Sequence, residues 1–458
     1  MLAGREAVPH RRTLRSVQDE MSTTLPSDTN RLWHPFSDMS KVAGHEFVID
    51  RAEGVWLWDT GGKRYLDATS SLWYANIGHG RARMADAIAA QIRKLDAYST
   101  FGDQANEPAI ELANRLASLS PLPDARVFLT TGGGDGIETA AKLARLYRST
   151  VGETDRMHVI GRTGAFHGVF GFGTTIGGIE LNRSGFGPLV GDVSLVAHDS
   201  VEALEEELLR VGPERVAAFF CEPVMGAGGV LLPGERYIEG VAALCARHGV
   251  LFVCDAVICG FGRLGTWFGI ERFDVIPDMI VFAKGVTSGY LPLGGVVVGA
   301  EVAEPLWSPQ TGRAFRQGTT YAGHPTCCIA ALTNLDIIEE EHLLDRGLAL
   351  ESELAETLNA AAGEAMAAGT VSEVRAGLGF LGAVELAPEL LARDPGLVVR
   401  LGQAVRERGV MVRPLGTAIA VSPPLICTSE HLELIGEAIA GGLRDTVGAG
   451  VPRPQASR

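Results

Sequence analysis

Short apolar runs recur through the middle of the chain, with helical spacing between them. Arg126–Leu129, His158–Ile160, Val193–Val196, Val216–Phe220, Val250–Cys254 and Met279–Ala283 are such runs, and Ile137–Arg148 and Ser200–Val211 lie between them with apolar positions on one helical face. A strand buried on both faces reads as an unbroken apolar stretch. Alternation of such strands with helices predicts an α/β chain with a parallel sheet covered on both sides. Upstream, Glu46–Ile49 and Val55–Trp58 precede Asp59-Thr60-Gly61-Gly62 and read as a hairpin, followed by helices at Ala85–Leu95 and Pro108–Leu119. Beyond residue 325 the texture changes to long Ala/Leu/Glu-rich helices, short strands near 378–385 and 410–421, and a final helix at 429–446. The boundary between a large and a smaller domain falls near 325–335.

Composition adds three constraints. Glycine is abundant: 57 of 458 residues, about 12% against about 7% on average, which marks tight turns and backbone close to a ligand. The net charge of −15 argues against nucleic acid, whose phosphates need a basic partner. Seven cysteines, an odd number with no CxxC pair, read as free thiols in a reducing cytoplasm. No apolar stretch approaches the ~18 residues of a membrane span, and no metal site is expected. Residues 1–30 carry Arg5, Arg11, Arg12 and Arg15 ahead of a Ser/Thr/Pro/Asp stretch. That composition reads as a flexible N-terminal extension, with a transit peptide as the other reading.

Two of the runs end on charged residues. Asp255 closes Val250–Cys254 ahead of a glycine-rich turn, and Lys284 closes Met279–Ala283 ahead of Gly285. The carboxyl ends of strands in open α/β sheets face the ligand crevice, so an amine and a carboxylate point toward one cleft. A buried carboxylate needs a cationic partner or takes up a proton, and a pyridinium nitrogen is such a partner; a helix cap is the plainer role for Asp255. Lys284 reads either as a solvated strand-end lysine or as a desolvated, nucleophilic amine.

Other segments carry weaker signals. Thr130–Gly136 has three consecutive glycines before a helix and can gather N–H groups around a phosphate, or serve as a plain turn. It is neither G-x-G-x-x-G nor a P-loop, since Ile137 takes the last glycine position and no lysine follows. Phe166, beside His167 and Gly168, offers a flat ring to a planar cofactor or to the core, and His167 is catalytic or structural. Thr319–Pro325 supplies hydroxyl donors, and Arg413 ends a strand where a guanidinium can hold a carboxylate.

The order of these segments is itself informative. Glu222-Pro223-Val224-Met225-Gly226-Ala227-Gly228-Gly229, Asp255 with Gly260-Phe261-Gly262-Arg263, Lys284, and Thr320-Tyr321 with Gly323-His324-Pro325 together resemble the class III aminotransferases, pyridoxal 5'-phosphate enzymes of fold type I, across about residues 32–446. The resemblance implies a large cofactor-binding domain (76–330) with a mostly parallel seven-stranded sheet sandwiched by helices, a smaller α+β domain (331–458), and an N-terminal segment (31–75) associated with the small domain. Lys284 would carry the cofactor as a Schiff base and move the substrate proton, while Asp255 would pair with the pyridinium nitrogen. Val257 would lie under the ring opposite Phe166, with Glu222 and His167 behind. Gly133 and Gly134 would bind the phosphate through backbone N–H groups. Thr320 would reach the phosphate of the neighbouring subunit's cofactor, which implies a homodimer with interfacial active sites, and a tetramer as the larger alternative. Trp73 falls at the substrate entrance, and Arg413 matches a mobile arginine that receives substrate carboxylates.

Four departures from the family pattern stand out. Gly132-Gly133-Gly134 replaces Ser-Gly-Ser, and Ala256 replaces a glutamate after Asp255. Ala227 replaces the glutamate that switches off the substrate arginine in glutamate-using members, and Val169 replaces a second carboxylate-binding arginine. The last two resemble the ω-amino acid and amine:pyruvate branch, so the expected reaction is ping-pong transfer of an amino group from an amine or ω-amino acid to a keto acid, pyruvate first. Diamine, polyamine or 4-aminobutyrate donors are the alternatives within transamination, and an aminomutase or decarboxylase is the rival of the same fold. A nicotinamide oxidoreductase using Gly171-Phe172-Gly173-Thr174-Thr175-Ile176-Gly177 is disfavoured by glycine spacing and by the lack of a following acidic residue. A catalytically silent binding protein conflicts with the presence of both Lys284 and Asp255.

Overall fold

The structure is a computed structural model that describes residues 31–447; the extension expected over residues 1–30 lies outside the described residues, as do residues 448–458. Strands β1 (Ile49–Glu53), β2 (Trp56–Asp59) and β3 (Arg64–Asp67) form an antiparallel meander. The first strand lies three residues later than the apolar pattern predicts. It is an edge strand, almost wholly exposed, so no buried face imposes a readable alternation. Phe47, which belonged to the expected strand, instead sets its ring edge-on to Tyr65 at 5.1 Å.

The central sheet is built from β4 (Arg126–Thr130), β5 (His158–Arg162), β6 (Val193–Val196), β7 (Val216–Cys221), β8 (Leu251–Asp255), β9 (Met279–Phe282) and β10 (Gly294–Val298), in the order β4-β10-β9-β8-β7-β5-β6. Every neighbouring pair is parallel except those made by β10, which is antiparallel to both β9 and β4. Strands β7, β8, β9 and β10 are buried at every residue. Their unbroken apolar content follows, because both faces are covered. The run Gly294–Val298 did not stand out in the sequence. Its first two residues are glycines, and they are there because the neighbouring backbone is close: a Cβ on Gly294 would lie 2.5 Å from the Gly132 carbonyl oxygen.

Helices α1 (Ala82–Lys94), α2 (Glu107–Leu119), α3 (Gly133–Thr150), α4 (Val201–Val211) and α5 (Tyr237–His248) belong to this part of the chain. Two start where the sequence offers a side-chain cap: Asn106 accepts from the Ala109 N–H, and Ser200 from the Ala203 N–H. Helix α6 (Pro325–Glu340) packs on α1 and α2 and leads into α7 (Leu343–Ala367). A second antiparallel sheet follows, made of β11 (Val371–Arg375), β12 (Gly382–Leu386), β14 (Arg413–Leu415) and β15 (Ala418–Val421), with α7 and α8 (Leu397–Glu407) against it and α9 (Ser429–Val447) packed on those two helices. The short β13 (Val410–Met411) pairs in parallel with β3, joining the N-terminal meander to the C-terminal part.

Candidate active site

Strands β5, β7, β8 and β9 run in one direction, so their carboxyl ends share one edge of the sheet. His167 lies on the loop after β5, Glu222 directly follows β7, Asp255 ends β8, and Lys284 lies two residues past β9. Reversal at β10 on both sides leaves β4 running the same way, so its end delivers Gly132–Gly134 to that edge as well. The result is a cleft of about 100 Å³ lined by Gly133, Gly134, Phe166, His167, Glu222, Asp255, Val257 and Lys284. Ile137, Gly168 and Ile258 also line it, and none of them was expected as a site residue. Two of these had a readable signal: Ile137 is three residues past Gly134 on the same helical face, and Gly168 follows the Phe-His pair.

Asp255 is buried and doubly held. One carboxylate oxygen lies 2.7 Å from His167 Nδ1, and the other accepts the Val257 N–H at 3.0 Å. A carboxylate only accepts, so His167 carries its proton on Nδ1; its buried Nε2 has no partner among the described residues. Glu222 is buried beside this pair and accepts the N–H groups of Phe166 and Gly226 at 3.3 and 3.2 Å. Burial pushes its carboxyl above the usual range, and Asp255 adds to that push while His167 and Arg162 oppose it.

Lys284 is half-buried, open only where the cleft reaches it, and adopts left-handed backbone with φ +47°. Its amine has no hydrogen-bond or ion-pair partner among the described residues. Desolvation by the surrounding protein holds the amine below the ordinary lysine value; Asp255 and Glu222 pull it back, and the charge of Arg413 pushes it further down. Arg413 starts β14 and is half-buried, also without a side-chain partner among the described residues, and burial lowers its own pKa. An unpaired, partly desolvated guanidinium near an amine is costly unless an anion is meant to join it.

The glycine loop opens α3. The first N–H groups of a helix have no intrahelical partner, and those of Gly133 and Gly134 have none among the described residues. The hydroxyls beside them are already engaged: Thr131 Oγ1 donates to Asp135 at 2.7 Å, and Thr130 Oγ1 to the Gly132 carbonyl at 2.9 Å. What the loop offers is backbone N–H and helix dipole, a fit for phosphate without side-chain help. A Cβ on Gly133 would meet the Val257 methyls at 2.9 and 3.0 Å.

Three expected site residues stand off the cleft wall. Trp73 is buried, in an apolar cluster that also holds Val224, Ile258 and Leu381. It lies in a turn where Ser70, Ser71 and Trp73 all have positive φ, strain that surrounding contacts must sustain. Thr320 is exposed, as is Tyr321 beside it. Arg413 acts on Lys284 through its charge. The Gly171–Ile176 segment is a short helix at whose centre a Cβ on Gly173 would lie 2.4 Å from the His167 carbonyl oxygen. Those glycines serve close packing beneath the Phe166–Gly168 loop.

A family model described as aminotransferase class-III matches residues 39–443. A putrescine–pyruvate aminotransferase of Pseudomonas aeruginosa is 35% identical over 421 residues, covering 87% of this chain and 91% of the relative. A chloroplastic gamma-aminobutyrate transaminase of Solanum lycopersicum is 33% identical over 424 residues, covering 87% and 81%. Among solved structures, an amine transaminase from an uncultivated Pseudomonas species, in its pyridoxal-phosphate-bound form, superposes with a TM-score of 0.86 at 33% identity, covering 91% of this chain and 99% of that one.

Proposed function

The chain belongs to the class III aminotransferases, and from that premise we propose that it transfers an amino group from a primary amine or ω-amino acid to pyruvate. Family members work on pyridoxal phosphate, and the residues of the cleft fit that cofactor. Unpaired N–H groups of Gly133 and Gly134 suit its phosphate, the His167-supported carboxylate of Asp255 suits its ring nitrogen, and the partnerless amine of Lys284 suits its carbonyl carbon. When bound, the cofactor accepts the electron pair left behind as the amine carbon loses its proton.

The protein's own residues do the rest. Lys284 Nζ, whose neutral form burial favours, accepts and carries the proton lost from the substrate carbon. Asp255, oriented by His167, keeps a proton on the ring nitrogen. Phe166 and Val257, both lining the cleft, would flank the ring and exclude water. Arg413 receives the carboxylate of the keto acid as a bidentate fork. Donor and acceptor use the same cleft in turn, so the kinetics are ping-pong.

The observation that carries the acceptor assignment is the guanidinium of Arg413, which acts on Lys284 and has no side-chain partner among the described residues, with Ala227 and Val169 at the positions where a competing glutamate and a second arginine would stand. One arginine suits a monocarboxylate; 2-oxoglutarate has two carboxylates to place. The same arginine can hold the far carboxylate of 4-aminobutyrate, so that donor fits the reading, as does a diamine. A panel of donors assayed with pyruvate and with 2-oxoglutarate tests it: pyruvate is expected to be the better acceptor, and a strong preference for 2-oxoglutarate refutes the assignment. Turnover without keto-acid consumption would point instead to an aminomutase or decarboxylase.

We also propose a homodimer in the reducing cytoplasm. Val169, Phe170, Leu181 and Phe186 are exposed apolar side chains around a hollow of about 510 Å³ beside the cleft, and patches of that kind are normally covered. Thr320 is exposed, as a residue reaching a partner's cofactor would be, and the seven buried free cysteines agree with a reducing compartment. No helix among the described residues is long and apolar enough to cross a membrane. Sedimentation at low concentration tests the dimer; a stable, active monomer refutes it.

A further inference from the structure

Lys284 occupies left-handed backbone although it carries a side chain, and it opens a single tight turn, Lys284–Val286. L-residues avoid that region, so something outside the turn must hold it. The holder is Asn334, in the middle of α6 and fully buried. Its Nδ2 donates to the carbonyls of both Gly285 and Val286, at 2.9 and 3.0 Å, while its Oδ1 is buried without a partner among the described residues. A buried amide that leaves its acceptor unsatisfied is retained for what its donor does.

The turn is gripped from the other side as well. A Cβ on Gly285 would lie 2.6 Å from Asn76 Nδ2, and Asn76 is itself fixed by the Phe261 carbonyl and by Arg263 Nη2, each at 2.8 Å. Asn76 blocks movement in one direction, and Asn334 ties the two carbonyls in the other.

We propose that Asn334 is a positioning residue for the reaction: its two hydrogen bonds fix the backbone from which the Lys284 amine reaches the substrate carbon. The inference rests on the transaminase reading and goes beyond it, since Asn334 is not among the residues that line the cleft. Misplacing a reacting group by an ångström costs up to about 100-fold in rate, and loss of this clamp acts on the amine's aim rather than on substrate affinity.

The test compares wild type with Asn334→Asp, of equal size but with acceptor oxygens facing the two carbonyls, and Asn334→Leu, of similar size with no donor. Each is purified, loaded with pyridoxal phosphate, checked for fold by circular dichroism, and assayed with pyruvate and one amine. The expected result is a kcat lower by about tenfold or more with the pyruvate KM within about twofold, and a pH midpoint of the visible absorbance band moved by about half a unit or more. Asn334→Ser, which keeps a shorter donor, should fall between wild type and Asn334→Asp, and it serves as the readout if the larger changes prevent folding. Folded, loaded variants with wild-type kcat and midpoint overturn the inference, as does a loss confined to KM. A wild-type chain that forms no visible band with pyridoxal phosphate overturns the transaminase reading itself, and the inference with it.

Discussion

Replacing Arg413 with leucine separates the two half-reactions. The guanidinium has no side-chain partner among the described residues, so its removal orphans no carboxylate or carbonyl. The backbone pairing of Arg413 with Ala420 is untouched, and the variant should fold with stability within about 1 kcal/mol of wild type. Against a keto acid the loss is large. A bidentate guanidinium–carboxylate contact supplies two charge-assisted hydrogen bonds of about 1.5–3 kcal/mol each, less the cost of stripping water from the incoming carboxylate. A net loss of about 2–4 kcal/mol corresponds to about 30- to 900-fold in kcat/KM for pyruvate.

The amine half-reaction responds differently. An alkyl amine without a carboxylate makes no such contact, so its half-reaction rate should change less than about threefold. Removing Arg413 also removes a positive charge that depresses the Lys284 pKa, so the apparent pKa of that amine should rise. Stopped-flow absorbance of each half-reaction on the loaded enzyme measures both. Equal losses with amine and keto acid, or a loss on pyruvate below about threefold, would refute the assignment of Arg413 as the carboxylate receptor.

Other substitutions probe neighbouring parts of the argument. Gly133→Ala presses a methyl onto Val257 inside the cleft, and overpacking there of about 1–3 kcal/mol should appear as weaker pyridoxal phosphate binding in equilibrium dialysis, by about tenfold or more. Gly136→Ala presses instead on Val281 Cγ1 at 2.8 Å, within the sheet packing, and should lower the unfolding free energy from denaturant titration by a comparable amount with and without cofactor. Only the neutral amine of Lys284 attacks a carbonyl, and desolvation favours that form. The rate of cofactor capture should therefore rise with pH to a midpoint below the ordinary lysine value of 10.5; a midpoint at or above that value, by stopped-flow, contradicts the desolvated site. Arg263 is fully buried and donates to the Phe380 and Pro423 carbonyls, Ser70 Oγ and Asn76 Oδ1, so Arg263→Met should cost about 3–5 kcal/mol of unfolding free energy, and a loss under 1 kcal/mol would show that water replaces those contacts.

What the sequence revealed and what it hid follow from the kind of contact each residue makes. Strands β8 and β9 were readable because burial on both faces leaves no polar position, and the two charges at their ends stood out against that background. Gly133, Gly134, Phe166, His167, Glu222 and Val257 became readable through motif order, and the fold brings all six to one cleft. Asn334 and Asn76 carried no signal, and Arg263 stood out only as a member of the Gly-Phe-Gly-Arg motif, without a role of its own. Their partners are mainly backbone carbonyls 48 to 185 residues away, and a carbonyl has no residue type to betray the pairing. The same limit applies to β1, whose exposed edge imposes no pattern, and to Trp73, whose burial depends on residues from three distant segments.

The glycine loop carries two tasks that its composition alone merges. Gly133 and Gly134 present N–H groups at the start of α3, and they account for the anion cradle. Gly136 and Gly294 do something else. A Cβ on Gly136 would lie 3.3 Å from the Gly295 carbonyl oxygen as well as against Val281, and one on Gly294 would strike the Gly132 carbonyl. These close approaches seat the first turn of α3 directly on β9 and β10, and β9 is the strand that leads into Lys284. The helix proposed to hold the phosphate and the strand that leads into Lys284 are thus fixed to each other through glycine contacts. Their separation is set by backbone van der Waals radii, which cannot adjust by changing rotamer. A serine-lined loop grips phosphate with hydroxyls that can reorient; this one relies on N–H groups whose positions are set by the packing beneath them. Precision of the cradle is therefore a property of the sheet, and a change that loosens β10 should weaken cofactor binding without touching any residue that contacts the cofactor.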